Sequence, residues 1–124
     1  MKAFSDLEQS KKLAEILPIE SADMYWWSSG KRYYIEAIDD GDFNEEEGHI
    51  RAWSLAALIN IIPQELFDGE YIINITEGID NKWIITYDHY ENRNHSFYGL
   101  SAGADNLVDT CTNIIIKLKE RNII

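Results

Sequence analysis

Three histidines, a lone cysteine and a run of carboxylates are the side chains of this sequence best suited to chemistry. His89 and His95 stand close together, and neutral imidazole serves both as a metal ligand and as an acid-base group near neutral pH. Their spacing works against a shared site. With Glu91 to Asn94 as a four-residue loop, Tyr90 pairs with His95 and His89 with Ser96, so the two imidazoles leave opposite faces of a sheet. The same register sets Asp88 and His95 diagonally on one face, where a carboxylate can orient an imidazole. His49, beside Glu45, Glu46 and Glu47, offers a similar pairing. Ordinary polar residues flanking turns explain these positions as well. Asp88, His95 and His49 therefore stand as weak candidates only, and no catalytic, cofactor-binding or metal-ligating residue is assigned.

Asp40-Gly41-Asp42-Phe43-Asn44 supplies oxygen ligands at alternate positions, as calcium loops do, but the pattern then fails. Glu45 stands where the sharp turn wants glycine, and Arg51 where a bidentate glutamate is needed. Cys111 falls on an apolar stripe between Leu107 and Ile114, which marks it as buried filler and not a nucleophile. Ser54 lacks the glycine-flanked elbow of hydrolases, so its hydroxyl suits a bond to helix backbone. The glycines are scattered and form neither a phosphate loop nor a dinucleotide fingerprint, and no cofactor is implied.

Aromatic residues carry a different suggestion. Four tryptophans and seven tyrosines are many for a small core, and exposed rings anchor interfaces. Trp26 and Trp27 are adjacent on an expected strand, so they point to opposite faces. One belongs to the core; the other lies under a helix, at a sheet edge or in a subunit contact. Tyr25, Trp26, Trp27 and Tyr34 are the candidate interface residues.

The elements that must position these groups follow from local signals. Ser5-Asp6-Leu7-Glu8 has the form of a capping box, and a helix with Leu7, Leu13, Ala14, Ile16 and Leu17 on one side runs from it to Pro18. Met24 to Ile38 reads as a hairpin turning at Ser28-Ser29-Gly30-Lys31. An acidic loop follows from Asp39 to Gly48. Ala52 to Ile62 is apolar almost all round, as a helix buried in the core would be, and Pro63 stops it. Tyr71 to Thr76 and Lys82 to Tyr90 form a second hairpin through Gly78-Ile79-Asp80-Asn81, and His95 to Leu100 returns as a third strand. Ala102-Gly103-Ala104 breaks that strand. Asp105 or Asn106 then caps a final helix with Leu107, Cys111, Ile114 and Leu118 as its stripe. The order α-ββ-α-βββ-α implies an α+β fold, an antiparallel sheet of about five strands in two hairpin units covered by three helices. No linker or repeat interrupts residues 1–124, which read as one domain.

Charge narrows the function classes. The formal net charge of −11 repels phosphate backbones and anionic lipid, so direct nucleic-acid binding and membrane association are not expected. Seven of the 22 acids lie between Glu36 and Glu47, which leaves 15 acids against 11 bases elsewhere, so the acidity is local. No apolar run is long enough to span a bilayer, the opening turns polar at once, and the single cysteine suits a reducing compartment. A cytoplasmic location is expected.

The opening Asp6-Leu7-Glu8-Gln9-Ser10-Lys11-Lys12-Leu13-Ala14-Glu15-Ile16-Leu17-Pro18, the central Ala52-Trp53-Ser54-Leu55-Ala56-Ala57-Leu58 and the closing Asp105-Asn106-Leu107-Val108-Asp109-Thr110-Cys111 resemble an uncharacterised family. Its members are small prophage- or mobile-element-associated proteins of gut Bacteroidetes. The final hairpin and helix also resemble phage proteins with α-β-α sandwich domains. The family usually has proline at the position of Ala52, and neither group has an assigned activity, so the resemblance transfers no functional residue. Three readings stand: a non-enzymatic module that binds a protein partner or forms a homodimer, an acidic decoy imitating DNA, and an enzyme with a His/Asp site.

Overall fold

The computed structural model describes residues 2–38 and 43–124. Helix α1 spans Leu7–Ile16 and is capped one residue later than the sequence suggests. Asp6, not Ser5, is the N-cap, and the Asp6 carboxylate and Gln9 amide satisfy each other's backbone N–H groups. Ser5 is displaced from that role because it is buried between the helix and Trp53. The helix ends at Leu17, whose extended backbone is what a following proline requires.

Strands β1 (Met24–Ser29) and β2 (Arg32–Ala37) form the expected hairpin, closed by Gly30 at φ +65° and Lys31. A third strand, β3 (Ile50–Ala52), pairs with the other side of β1 and gives a three-stranded antiparallel sheet in the order β2-β1-β3. Ala52 is thereby drawn into a strand, and the helix expected from Ala52 is confined to α2, Leu55–Ile61. Trp53 bonds through its backbone N–H and C=O to Ser5, and Ser54 becomes the N-cap, so neither residue is helical. Nor is α2 buried all round: Leu58 is its one fully buried residue, while Ala56, Ile59 and Asn60 are exposed.

The second sheet runs β4-β5-β6-β7, from Glu65–Leu66, Tyr71–Glu77, Trp83–His89 and Ser96–Ala104. The last three strands are the expected meander. However, β7 is not broken at Ala102-Gly103-Ala104 but continues through it, in register with Trp83 to Ile85. Helix α3 (Leu107–Glu120) packs on this sheet; of the three small residues Ala102 is buried and Gly103 is exposed beside Ile84, and the ladder to β6 runs through them all. Asn106 caps α3, and Leu107, Val108, Cys111, Ile114, Ile115 and Leu118 face inward as their spacing requires.

The class is therefore α+β, with two antiparallel sheets of three and four strands where one of about five was expected. The difference lies in β3 and β4, too short to show a period of two. The core joins Leu13, Trp53, Leu58, Ile85, Tyr87, Leu100 and the inner face of α3. Among the described residues, none from β1, β2 or β3 belongs to it. No helix among them is long and apolar enough to cross a membrane.

Candidate functional site

The β1–β2 hairpin carries the four aromatic candidates, and strand alternation divides them. On one face Trp26 is half-buried beneath the N-terminal segment, edge-on to Phe4 at 5.7 Å, and its indole N–H donates to the Ser5 carbonyl at 3.1 Å. On the other face Tyr25 is only 4% exposed, so it supports the surface and does not form it. Its hydroxyl donates to Glu36 Oε2 at 2.9 Å, its ring stacks on His49 at 4.9 Å, and Phe43 meets it edge-on. The Arg51 guanidinium lies over Phe43 and pairs with Glu45.

Trp27 shares that face and stacks on Tyr34, its cross-strand partner, with ring centres 4.8 Å apart. Its indole N–H is buried with no acceptor among the described residues. Tyr34 is 41% and Tyr33 50% exposed, on opposite faces of the same strand. Tyr33 was not among the sequence candidates; its place on an open edge strand depends on which strands pair, which no local pattern reveals.

The histidines are arranged otherwise than the loop length suggested. Asp88 pairs with Ser96 and the His89 amide donates to the His95 carbonyl at 2.9 Å, one residue from the expected register. The two imidazoles consequently share a face, 6.4 Å apart, around Tyr71. His89 Nδ1 accepts from the amides of Glu91 and Asn92, at 3.2 and 3.4 Å, which commits that nitrogen to closing the turn. Among the described residues no group of three or more His, Cys, Asp or Glu side chains is placed to hold a metal ion.

Asp88 is separated from His95 by the same change of register. Its carboxylate, 5% exposed, accepts from Ser96 Oγ at 2.7 Å and from Thr86 Oγ1 and Asn74 Nδ2 at 3.0 Å each. Burial pushes its pKa up, but these three hydrogen bonds and the Arg93 charge outweigh it and hold the group below the usual carboxylate range. The carboxylate is thereby tied to three donors from β5, β6 and β7. His49 is likewise occupied: Nδ1 accepts from the Asn44 amide at 3.0 Å, and Nε2 lies 3.7 Å from Glu47.

Of the calcium-like stretch, Asp40, Gly41 and Asp42 lie outside the described residues, and the Asn44 side chain caps the Glu46 amide. Cys111 is fully buried, and burial pushes its thiol up to about 11. The Ser54 hydroxyl donates to Asp23 and accepts from the Ala57 amide. Two clefts, of about 520 and 420 Å³, are lined by Leu66, Phe67, Phe97 and Arg121 and by Leu55, Trp83, Leu107 and Lys2, with no histidine in either wall. No protein-family model matches the chain, and neither a curated protein nor a solved structure matches it.

Proposed function

We propose that the chain is a non-enzymatic, cytoplasmic protein-binding module that docks through the outer part of its β1–β2 hairpin. The observation that carries this reading is the Trp27–Tyr34 stack, with Tyr33 exposed on the opposite face of the same edge strand, on a hairpin that stands apart from the main core. Rings that are rigid, large and partly wet gain the most when a partner covers them. The seven acids from Glu36 to Glu47 adjoin this surface in sequence and favour partners with basic groups at that end. Such clustering suits local steering better than imitation of a duplex, whose charges repeat evenly along a face. The enzyme reading has less support, since Asp88, His95 and His49 lie apart and each side chain or its neighbours are engaged in closing turns or strands. A role in a mobile element, which the family resemblance implies, is compatible with a small binder of this kind.

The test is photo-crosslinking in cells. A photoreactive phenylalanine analogue at position 34 is expected to yield covalent adducts with protein. The same analogue at position 98, where Tyr98 is 94% exposed on β7, is expected to yield few. Absence of adducts at position 34, or equal yields at both positions, overturns the reading.

A further inference from the structure

Resting on that reading, we infer that the occupant of the hairpin surface is a second copy of the chain, joined edge to edge through β2 in an antiparallel register centred on Tyr34. The backbone prepares this contact. The Ile38 amide donates to the Asp23 carbonyl at 2.9 Å, and bonded and non-bonded pairs alternate along an antiparallel ladder. Tyr25/Glu36, Trp27/Tyr34 and Ser29/Arg32 are then the bonded pairs of the hairpin. The N–H and C=O groups of Tyr33, Ile35 and Ala37 consequently point away from β1, off the edge of the sheet.

The two long edges of the molecule are treated differently. On β7, Lys117 Nζ donates to the Ser101 carbonyl at 2.5 Å and Arg121 Nη1 to the Tyr98 carbonyl at 3.2 Å, while Gly99 at φ +75° bends the strand. Cations and irregular backbone are standard protection for an edge. Among the described residues no side chain bonds to a backbone group of β2, and no strand among them pairs with its outer side.

The side chains select the register. Centred on Tyr34, the pairing sets Tyr33 against the partner's Ile35 and Ile35 against the partner's Tyr33. Each is a bonded pair, four N–H to O=C bonds in all. On the opposite face Arg32 meets the partner's Glu36, Glu36 meets the partner's Arg32, and the two Tyr34 rings meet on the axis in the closer, non-bonded pair. Glu36 is already oriented by the Tyr25 hydroxyl on Oε2, and Arg32 has no ion pair among the described residues. Shifting the centre to Glu36 or to Arg32 would bring like charges face to face, and centring on Ile35 or Tyr33 would leave both charges unmatched. The two Trp27–Tyr34 stacks would then form one continuous aromatic layer across the two-fold axis.

Sedimentation equilibrium of the purified chain at 0.15 M salt, over roughly 5 to 500 µM, is expected to show a reversible monomer–dimer equilibrium. Arg32→Glu, which leaves the Tyr25–Glu36 bond in place, should weaken the dimer at least about tenfold, and adding Glu36→Arg should restore it to within about threefold. Tyr33→Pro removes an outward N–H without touching a bond to β1, and should leave a folded monomer by circular dichroism. Should that variant unfold, Arg32→Glu still decides. A monomer at every concentration, or a dimer indifferent to Arg32→Glu, overturns the inference. Adducts at position 34 with a different protein, from a chain that sediments as a monomer, would sink the dimer and leave the binding reading standing. Monomer without adducts would sink both.

Discussion

Ser5 and Ser10 are both fully buried, with their hydroxyls 2.7 Å apart, and Ser5 Oγ accepts the backbone N–H of Trp53. Removing that oxygen leaves a buried amide without a partner, which costs more than the lost bond alone. Ser5→Ala is therefore expected to lower stability by about 2 kcal/mol, and Ser10→Ala by less, in urea unfolding. Equal small effects would mean that water replaces the hydroxyl. Asp88 makes a second prediction. Its folded pKa lies below the unfolded value, so it stabilises the fold above about pH 4 and loses that contribution as pH falls through the folded pKa. Asp88→Asn should flatten the acid limb of the stability profile, and an unchanged limb would assign acid unfolding to other carboxylates. Residues of these two kinds differ in legibility. Cys111 could be placed from intervals of four and three along a helix, a period that needs no knowledge of the rest of the chain. The His89–His95 relation could not, because one residue in the length of a turn moves a side chain to the other face.

At the scale of elements, the join between β7 and α3 depends on Gly99. Its φ of +75° belongs to the left-handed region, and a Cβ there would run into the Arg121 guanidinium. The guanidinium can swing aside, since it is the end of a flexible side chain; the backbone cannot. Gly99→Ala should cost about 1–2 kcal/mol from the backbone alone, and truncating Arg121 as well should not recover it. Full recovery in the double variant would place the cost in the steric contact instead. Helices α1 and α3 and the strands from β5 to β7 were readable because each carries its own period or punctuation over six residues or more. Strands β3 and β4 were hidden by their three- and two-residue lengths, and β3 in turn moved the start of α2. The small residues in β7 misled because glycine and alanine mark a strand end only where pairing stops, and here the partner strand β6 continues opposite them, with Ile84 beside Gly103.

For the whole molecule, the distribution of buried side chains implies unequal stability. The core cluster ties α1, α2, α3 and the four-stranded sheet together, whereas the described residues of β1, β2 and β3 lie outside it. The three-stranded sheet is held instead by Tyr25 against His49 and Phe43, by Trp26 against Phe4 and Ser5, by α1 packed on β3 with Ala52 fully buried, and by ladder bonds. Opening the hairpin exposes less apolar surface than opening β6, so it should occur at lower free energy. Native-state hydrogen exchange is expected to show the amides bonded across β1 and β2, such as those of Trp27 and Tyr34, opening at least about 2 kcal/mol below those of Ile85 and Tyr87. The measurement belongs on the Arg32→Glu chain, so that self-association does not shield the edge. Cys111, sealed in the core with its thiol kept protonated, supplies an independent clock: its labelling should follow the slow amides and not the hairpin ones. Were the hairpin amides to open at the same free energy as β6 and the thiol to label with them, the two sheets would form one cooperative unit. The docking surface would then be as rigid as the core behind it.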